Sequence, residues 1–281
     1  MSRVRGFTTV LCCGLVVAGL TSLALTVLEA QPNQFQFILA ATDASGRPVA
    51  DIKPDEVLMT ENGAAATIIK VEPYKVPVKL TLAVDNGPDS REALSHYRSG
   101  LKGLVEALPF DLEVTLITTA PQPRMVVRPT TNREQILRGI NGFAPEDERP
   151  RFTDTLVEFS RRLERESKEK RVPDSLPILV MVSTTANEVA SYQVEEINKA
   201  LNFLATRKAR LMVTMTSTRA GNVSAVADIN TNRQALIAIP ATKATRGRYE
   251  AIAVSSRLAT LLPEIGKESP PCMRSTSISF A

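Results

Sequence analysis

The chain has 281 residues, 43% hydrophobic and 23% charged, with 34 basic against 30 acidic side chains for a net charge of +4. That composition supports a buried core and excludes wholesale disorder. Trp is absent and aromatic residues make up only 5%, which argues against sugar- and base-stacking surfaces, since both need flat π faces. The densest basic run, Arg161 to Arg171, has Glu164, Glu166 and Glu169 inside it. That spacing suits i,i+4 pairs on a solvated helix face and not a nucleic-acid stripe, so no nucleic-acid partner is expected.

The N-terminus reads as an export signal. Arg3 and Arg5 precede an apolar-rich stretch from Val10 to Val27, and the small Ala30 suits a cleavage site. The rival is an uncleaved anchor, because that stretch approaches spanning length. It would be the chain's one contact with a membrane. Cys12 and Cys13 sit inside the stretch and not at its end, against lipidation. After cleavage Cys272 is the last cysteine, so the domain must hold by its core alone.

Gln34 to Val71 reads as a small β unit. Phe35, Phe37 and Leu39 alternate as in a half-buried strand. Asp43 to Pro48 is a turn cluster. Val57 to Thr60 and Thr67 to Val71 are strands around Glu61-Asn62-Gly63, a hairpin turn because Asn-Gly tolerates φ > 0. Pro73 and Pro77 punctuate a connector.

From Leu80 the pattern alternates strand and helix. Leu80 to Val84 is a short apolar strand ending at Asp85. Leu94, Tyr97, Leu101, Leu104, Val105 and Leu108 follow at helical spacing. Glu113 to Thr118 is the next strand, and Met125 to Arg128 an antiparallel edge. Thr131 and Glu134 form a capping-box pattern for a helix through Ile136, Leu137, Ile140 and Phe143. A third helix starts near Asp154, with Leu156, Phe159 and Leu163 inward. Ile178 to Val182 has the continuous apolarity of a central parallel strand. A helix through Val194, Ile197, Leu201 and Leu204 follows, then a strand from Leu211 to Met215. Gln234 to Thr245 is helical in pattern, but Pro240 puts its second half in doubt. Tyr249 to Val254 and Arg257 to Ile265 are the last strand and helix. The tail from Ser269 is expected to fray.

This order predicts an α/β, Rossmann-like, doubly wound and mostly parallel sheet with helices on both faces, preceded by the small β unit. The expected divisions are 1–30 signal, 31–76 β unit, 77–268 α/β domain and 269–281 tail. In such sheets ligands bind beyond the carboxyl ends of the strands at a switch point. Asp85, closing the first strand, is placed there.

Asp85-Asn86-Gly87-Pro88-Asp89-Ser90 resembles the opening Asp-x-Ser-x-Ser of von Willebrand factor type A domains. Phe152-Thr153-Asp154-Thr155-Leu156 looks like that family's Thr loop, and Ser183-Thr184-Thr185 stands where it reads Thr-Asp-Gly. Thr245-Arg246-Gly247-Arg248-Tyr249 resembles its Thr-Gly-Gly-Arg-Tyr turn. The resemblance spans roughly residues 34 to 267 and implies a site for one divalent cation held by Asp85, Asp89, Thr153 and Thr155. It also implies a partner-binding edge of Asp85, Gly87, Asp89, Ser90, Thr153 and Thr184, within the segments Asp85 to Ser90, Phe152 to Thr155 and Ser183 to Asn187. Gly87 and Thr184 depart from the pattern, removing a hydroxyl and a carboxylate. A hard cation wants near-octahedral oxygen ligands, so either no metal or a weakly held Mg²⁺, Mn²⁺ or Ca²⁺ is expected.

Enzyme signatures are missing. His96, the only histidine, is not tied to a serine on a strained turn, and Gly-x-Ser-x-Gly, phosphate-cradle and zinc spacings are absent. Asp85 and Asp89 as a phosphatase-like metal site would need a Lys and further acids that Ser183-Thr184-Thr185 does not supply. The expectation is an exported, non-catalytic module, periplasmic or secreted, that binds another exported or envelope protein. The alternatives are a metal-dependent adhesion domain using Asp85 and Asp89, that hydrolase, or a scaffold with the crevice as a relic.

Overall fold

The structure is a computed structural model and describes residues 35–39, 41–42, 48–49, 52–73, 77–169, 175–217, 233–268 and 276–280. The apolar N-terminal stretch, Ala30 and Cys272 lie outside them. Among the described residues no helix is long and apolar enough to cross a membrane.

The chain divides into two units, one of residues 38–52 and 72–277, the other of 1–37, 53–71 and 278–281. β1 (Phe35–Leu39), β13 (Thr276–Phe280) and β6 (Ile68–Pro73) form a sheet in the order β1-β13-β6. The tail expected to fray carries a strand, because β13 pairs with both β1 and β6. Asn62 (φ 50°) and Gly63 (φ 85°) turn the hairpin between β4 (Thr60–Glu61) and β5 (Ala64–Ala65). This is the positive-φ geometry the Asn-Gly pair was read for, although the paired strands are shorter and closer to the turn than expected. In the larger unit a second short ladder joins β2 (Ala41–Thr42) to β3 (Pro48–Val49).

The main sheet runs from β7 (Val78–Val84) through β8 (Glu113–Thr118), β9 (Arg124–Thr130), β10 (Leu176–Thr184), β11 (Arg210–Thr216) and β12 (Arg248–Ile252). Its order is β12-β11-β10-β7-β8-β9. All pairs are parallel except β8–β9, the antiparallel edge. The helices are α1 (Leu94–Ala107), α2 (Arg133–Gly142), α3 (Phe152–Lys168), α4 (Val194–Thr206), α5 (Arg233–Ala244) and α6 (Leu258–Glu268).

Alternation along the strands feeds two cores. Ile178, Val180 and Val182 of β10 face one core with Tyr97 and Leu101 of α1, Ile140 of α2 and Leu262 of α6. Leu179 and Met181 face the other with Phe152 and Leu156 of α3, Leu204 of α4 and Ala238 of α5. Each fully buried aliphatic or aromatic side chain there contributes about 1.5–3 kcal/mol. Helices thus cover both faces, as a buried parallel sheet requires.

Glycine lets α1 and α6 approach closely. A Cβ on Gly100 would lie 2.6 Å from the Leu258 carbonyl oxygen, and one on Gly266 would lie 2.7 Å from that of Leu104. Two local readings need correction. The cap of α2 is Asn132, whose side chain accepts the Gln135 N–H at 3.0 Å; Thr131 sits one residue too early for the predicted capping box. Helix α5 continues through Pro240 to Ala244, held by burial of Ala235, Ala238, Ala241 and Thr242 on both sides of the proline. The charged run behaves as read, with Glu164–Lys168 at 2.8 Å and Arg162–Glu166 at 3.8 Å along α3.

Candidate functional site

The chain leaves β7 toward β8 on one side, while β10, β11 and β12 build outward on the other. The direction reverses between β7 and β10, and the carboxyl ends of those two strands form the pole where a ligand crevice belongs. Asp85 stands there. Its N–H extends the ladder to the Val182 carbonyl at 2.8 Å, and the residue is 1% exposed.

Its carboxylate is occupied by the chain itself. Oδ1 accepts the Gly87 N–H at 2.8 Å. Oδ2 accepts the Thr184 hydroxyl at 2.8 Å and the Thr184 N–H at 3.2 Å. The single proton of Ser183 Oγ serves Gln234 Oε1 at 2.9 Å, with Asp85 Oδ2 a longer second acceptor at 3.4 Å. Burial pushes the Asp85 carboxyl up, and the bonds from Gly87, Thr184 and Ser183 pull it partly back.

The neighbouring loop residues act as ties. Asn86 donates from Nδ2 to the Ala144 carbonyl and accepts the Ala120 N–H on Oδ1, both at 3.0 Å. Ser90 Oγ donates back to the Gly87 carbonyl at 2.8 Å. Gly87 has no space for a side chain, because a Cβ there would lie 2.8 Å from Pro150 Cδ and 3.2 Å from Asp85 Oδ1. Asp89 sits in the first turn of a short 3-10 helix, Pro88–Ala93, and is partly exposed.

A second network backs the first. Thr216 Oγ1 donates to the Ser183 carbonyl at 3.0 Å, so Tyr97, whose hydroxyl lies 2.8 Å from that oxygen, is the donor between them. Burial, reinforced by the Asp85 charge, raises the Tyr97 phenol. Gln234 donates from Nε2 to the Ala186 carbonyl at 2.7 Å, tying α5 to the end of β10.

The threonines of α3 face a different carboxylate. Glu188 accepts the Thr153 N–H at 2.8 Å and also the Thr153 hydroxyl. Burial raises the Glu188 carboxyl, with both Thr153 bonds and Arg233 opposing. Thr155 Oγ1 turns back to the Arg151 carbonyl at 2.7 Å, an internal helix bond. Arg151 bonds Asp154 at 3.0 Å and Ser191 Oγ at 2.7 Å, and Ser191 N–H donates to Asp154 at 2.8 Å.

Asp85, Gly87, Ser90 and Thr184 thus come together at this pole, while Thr153 and Thr155 bond Glu188 and Arg151. Of the residues expected at the partner-binding edge, Asp85, Ser90, Thr153 and Thr184 are 0–1% exposed. A hard divalent cation wants near-octahedral oxygen ligands; here the Gly87 and Thr184 hydrogens take up part of the Asp85 acceptor capacity, Gly87 offers no hydroxyl, and Thr184 brings no charge. Glu188 and Gln234 had no signal in the sequence. Each is a polar residue whose partners lie far away in the chain.

No protein-family model matches the sequence, and no curated protein matches it. Solved structures do. A von Willebrand factor type A protein from Catenulispora acidiphila superimposes with a TM-score of 0.52 at 10% identity, covering 69% of this chain and 43% of that one. The fold is that of a von Willebrand factor type A domain. The protein BatB from Bacteroides thetaiotaomicron superimposes on the same VWA-like region with a TM-score of 0.50 at 13% identity, over 68% of this chain and 98% of that one. Proximal thread matrix protein 1 of the mussel byssus gives 0.50 at 15% identity, over 70% and 48%. The chain spans less than half of the Catenulispora and mussel proteins. At these identities the likeness is one of fold.

Proposed function

We propose that the chain is an exported, non-catalytic protein-binding module of VWA type that works without a divalent cation. Its partner is another exported or envelope protein. The observation that carries the reading is the Asp85 carboxylate, taken up by Gly87 and Thr184 within the chain. The hydrogen bonds of Thr184 do the work of an ion here, tying the end of β10 to the loop after β7. The leader-like N-terminal sequence supports export, and the lack of an oriented base and nucleophile in the sequence supports a non-catalytic role.

Thermal unfolding in EDTA and then in Mg²⁺, Mn²⁺ or Ca²⁺ tests it. A cation bound only to the folded state at 100 times its dissociation constant would add about 2.7 kcal/mol. The expected result is an unchanged midpoint. A rise in midpoint that disappears in Asp85→Ala would overturn the reading in favour of a metal-dependent adhesion domain.

A further inference from the structure

Among the described residues the outer strands of the main sheet are β9 and β12, and they are built differently. Edge β9 is defended against further pairing. It contains Pro129, and its two charges, Arg124 and Arg128, have the same sign. Edge β12 reads Arg248-Tyr249-Glu250-Ala251-Ile252, with no proline and with opposite charges on either side of a tyrosine.

The ladder to β11 fixes which main-chain groups of β12 point outward. Ser217 N–H donates to the Ile252 carbonyl at 2.9 Å, so Ile252 turns its main chain toward β11. Main-chain groups alternate sides along a strand. Arg248 and Glu250 therefore also face β11, while Tyr249 and Ala251 present N–H and C=O to the outside. Side chains alternate between the two faces of the sheet. Tyr249 packs against the core under α3, α4 and α5, and Arg248 and Glu250 lie on the opposite face with Ile252. There Arg248 Nε is 2.7 Å from Glu250 Oε1 and Nη1 is 2.7 Å from Glu268 Oε1, with the three side chains 26–44% exposed.

An edge with this order of charges is complementary to itself. In an antiparallel pair about a two-fold axis through Tyr249, Arg248 stands opposite Glu250 of the second copy, and Glu250 opposite its Arg248. These are non-hydrogen-bonded pairs, in which side chains approach most closely. The two Tyr249 residues exchange N–H···O bonds and set their rings side by side on the other face. Opposite charges and aromatic pairs directly across two strands stabilise them, and like charges destabilise them. An axis through Glu250 would set glutamate against glutamate, and one through Ala251 would set Glu250 against Ile252. The same exercise on β9, about Val126, sets Arg124 against Arg128.

We propose that β12 is a dimerisation edge whose occupant is β12 of a second copy, antiparallel about Tyr249, so that two main sheets join into one. A two-fold interface needs a surface that matches itself, and the Arg-Tyr-Glu order supplies that match. The dimer does not rest on the cation-free binding reading above.

Sedimentation velocity of the whole chain in EDTA, from micromolar concentration to about 100 μM, tests it. The mass is expected to double across that range. Glu250→Arg sets arginine against arginine and should give a monomer; Arg248→Glu sets glutamate against glutamate and should do the same. An equimolar mixture of these two variants should dimerise again, with one of each in the pair. Should Arg248→Glu fail to fold beside Glu268, Ala251→Pro takes its place. Its lost N–H points away from β11, so the ladder survives and a monomer is expected. A wild type that stays monomeric throughout overturns the proposal. So does a single variant that dimerises as the wild type does, or a charge-swapped mixture that stays monomeric. A monomeric wild type leaves the cation-free reading untouched, whereas a cation-induced rise in thermal midpoint sinks that reading and not the dimer.

Discussion

Thr184 donates both its hydroxyl and its backbone N–H to one oxygen of Asp85, at 2.8 and 3.2 Å. A threonine standing where the resembled family carries an aspartate is thus a double donor to the Asp85 carboxylate. Asp85→Ala leaves those two groups and the Gly87 N–H buried without an acceptor. Each orphan costs about 1–3 kcal/mol. Urea unfolding should show a loss of about 3 kcal/mol, equal in EDTA and in Mg²⁺. A loss confined to Mg²⁺ would restore the ion to the site.

The two α3 threonines separate a clasp from a helix bond. Thr153→Val removes a buried hydroxyl from Glu188, and about 1–2 kcal/mol should be lost. Thr155→Val removes a bond to a carbonyl that keeps the Thr155 N–H, at a cost of about 0.5 kcal/mol. Equal, cation-dependent losses in denaturant titrations would contradict this assignment.

Glu188 and Asp85 both have raised carboxyls, with burial the largest cause. A folded value above the unfolded one means that the group's contribution is full below the unfolded value and is lost as pH rises through the folded one. The stability of the wild type relative to Glu188→Gln should therefore decline from the ordinary value of 4.5 upward. Urea midpoints of the two proteins across that range measure it. A difference that grows with pH would mean that the bonds from Thr153 outweigh burial.

Two glycines should respond oppositely to alanine. At Gly100 the new methyl meets the Leu258 backbone at 2.6 Å, whereas Gly142 has nothing within 4 Å. Overpacking costs about 1–3 kcal/mol, more than the ~1 kcal/mol helix propensity returns. Gly100→Ala should lower the thermal midpoint and Gly142→Ala raise it.

Most of the α/β layout was legible because strand alternation and helical spacing are local. Leu80 to Val84, Glu113 to Thr118 and Ile178 to Val182 each carry their own signal, and β7, β8 and β10 lie where those signals put them. Asn132 was missed as a cap because Thr131 offers the same chemistry one residue earlier. Strand β13 was missed because pairing with β1 and β6 decides it, and no short window contains that. At the pole Asp85 and Thr184 were found by pattern, but Glu188 was not. Glu188 meets Thr153 across 35 residues, and nothing near either one announces the other.

The packing of Pro150 against Gly87 couples two positions far apart in the chain. A serine at Gly87 would drive its Cβ into Pro150 Cδ at 2.8 Å, so a hydroxyl can be installed there only together with a change in the loop before α3. Whoever redesigns this pole must alter both sides of that contact at once, because the ring of one residue fills the space the other would need.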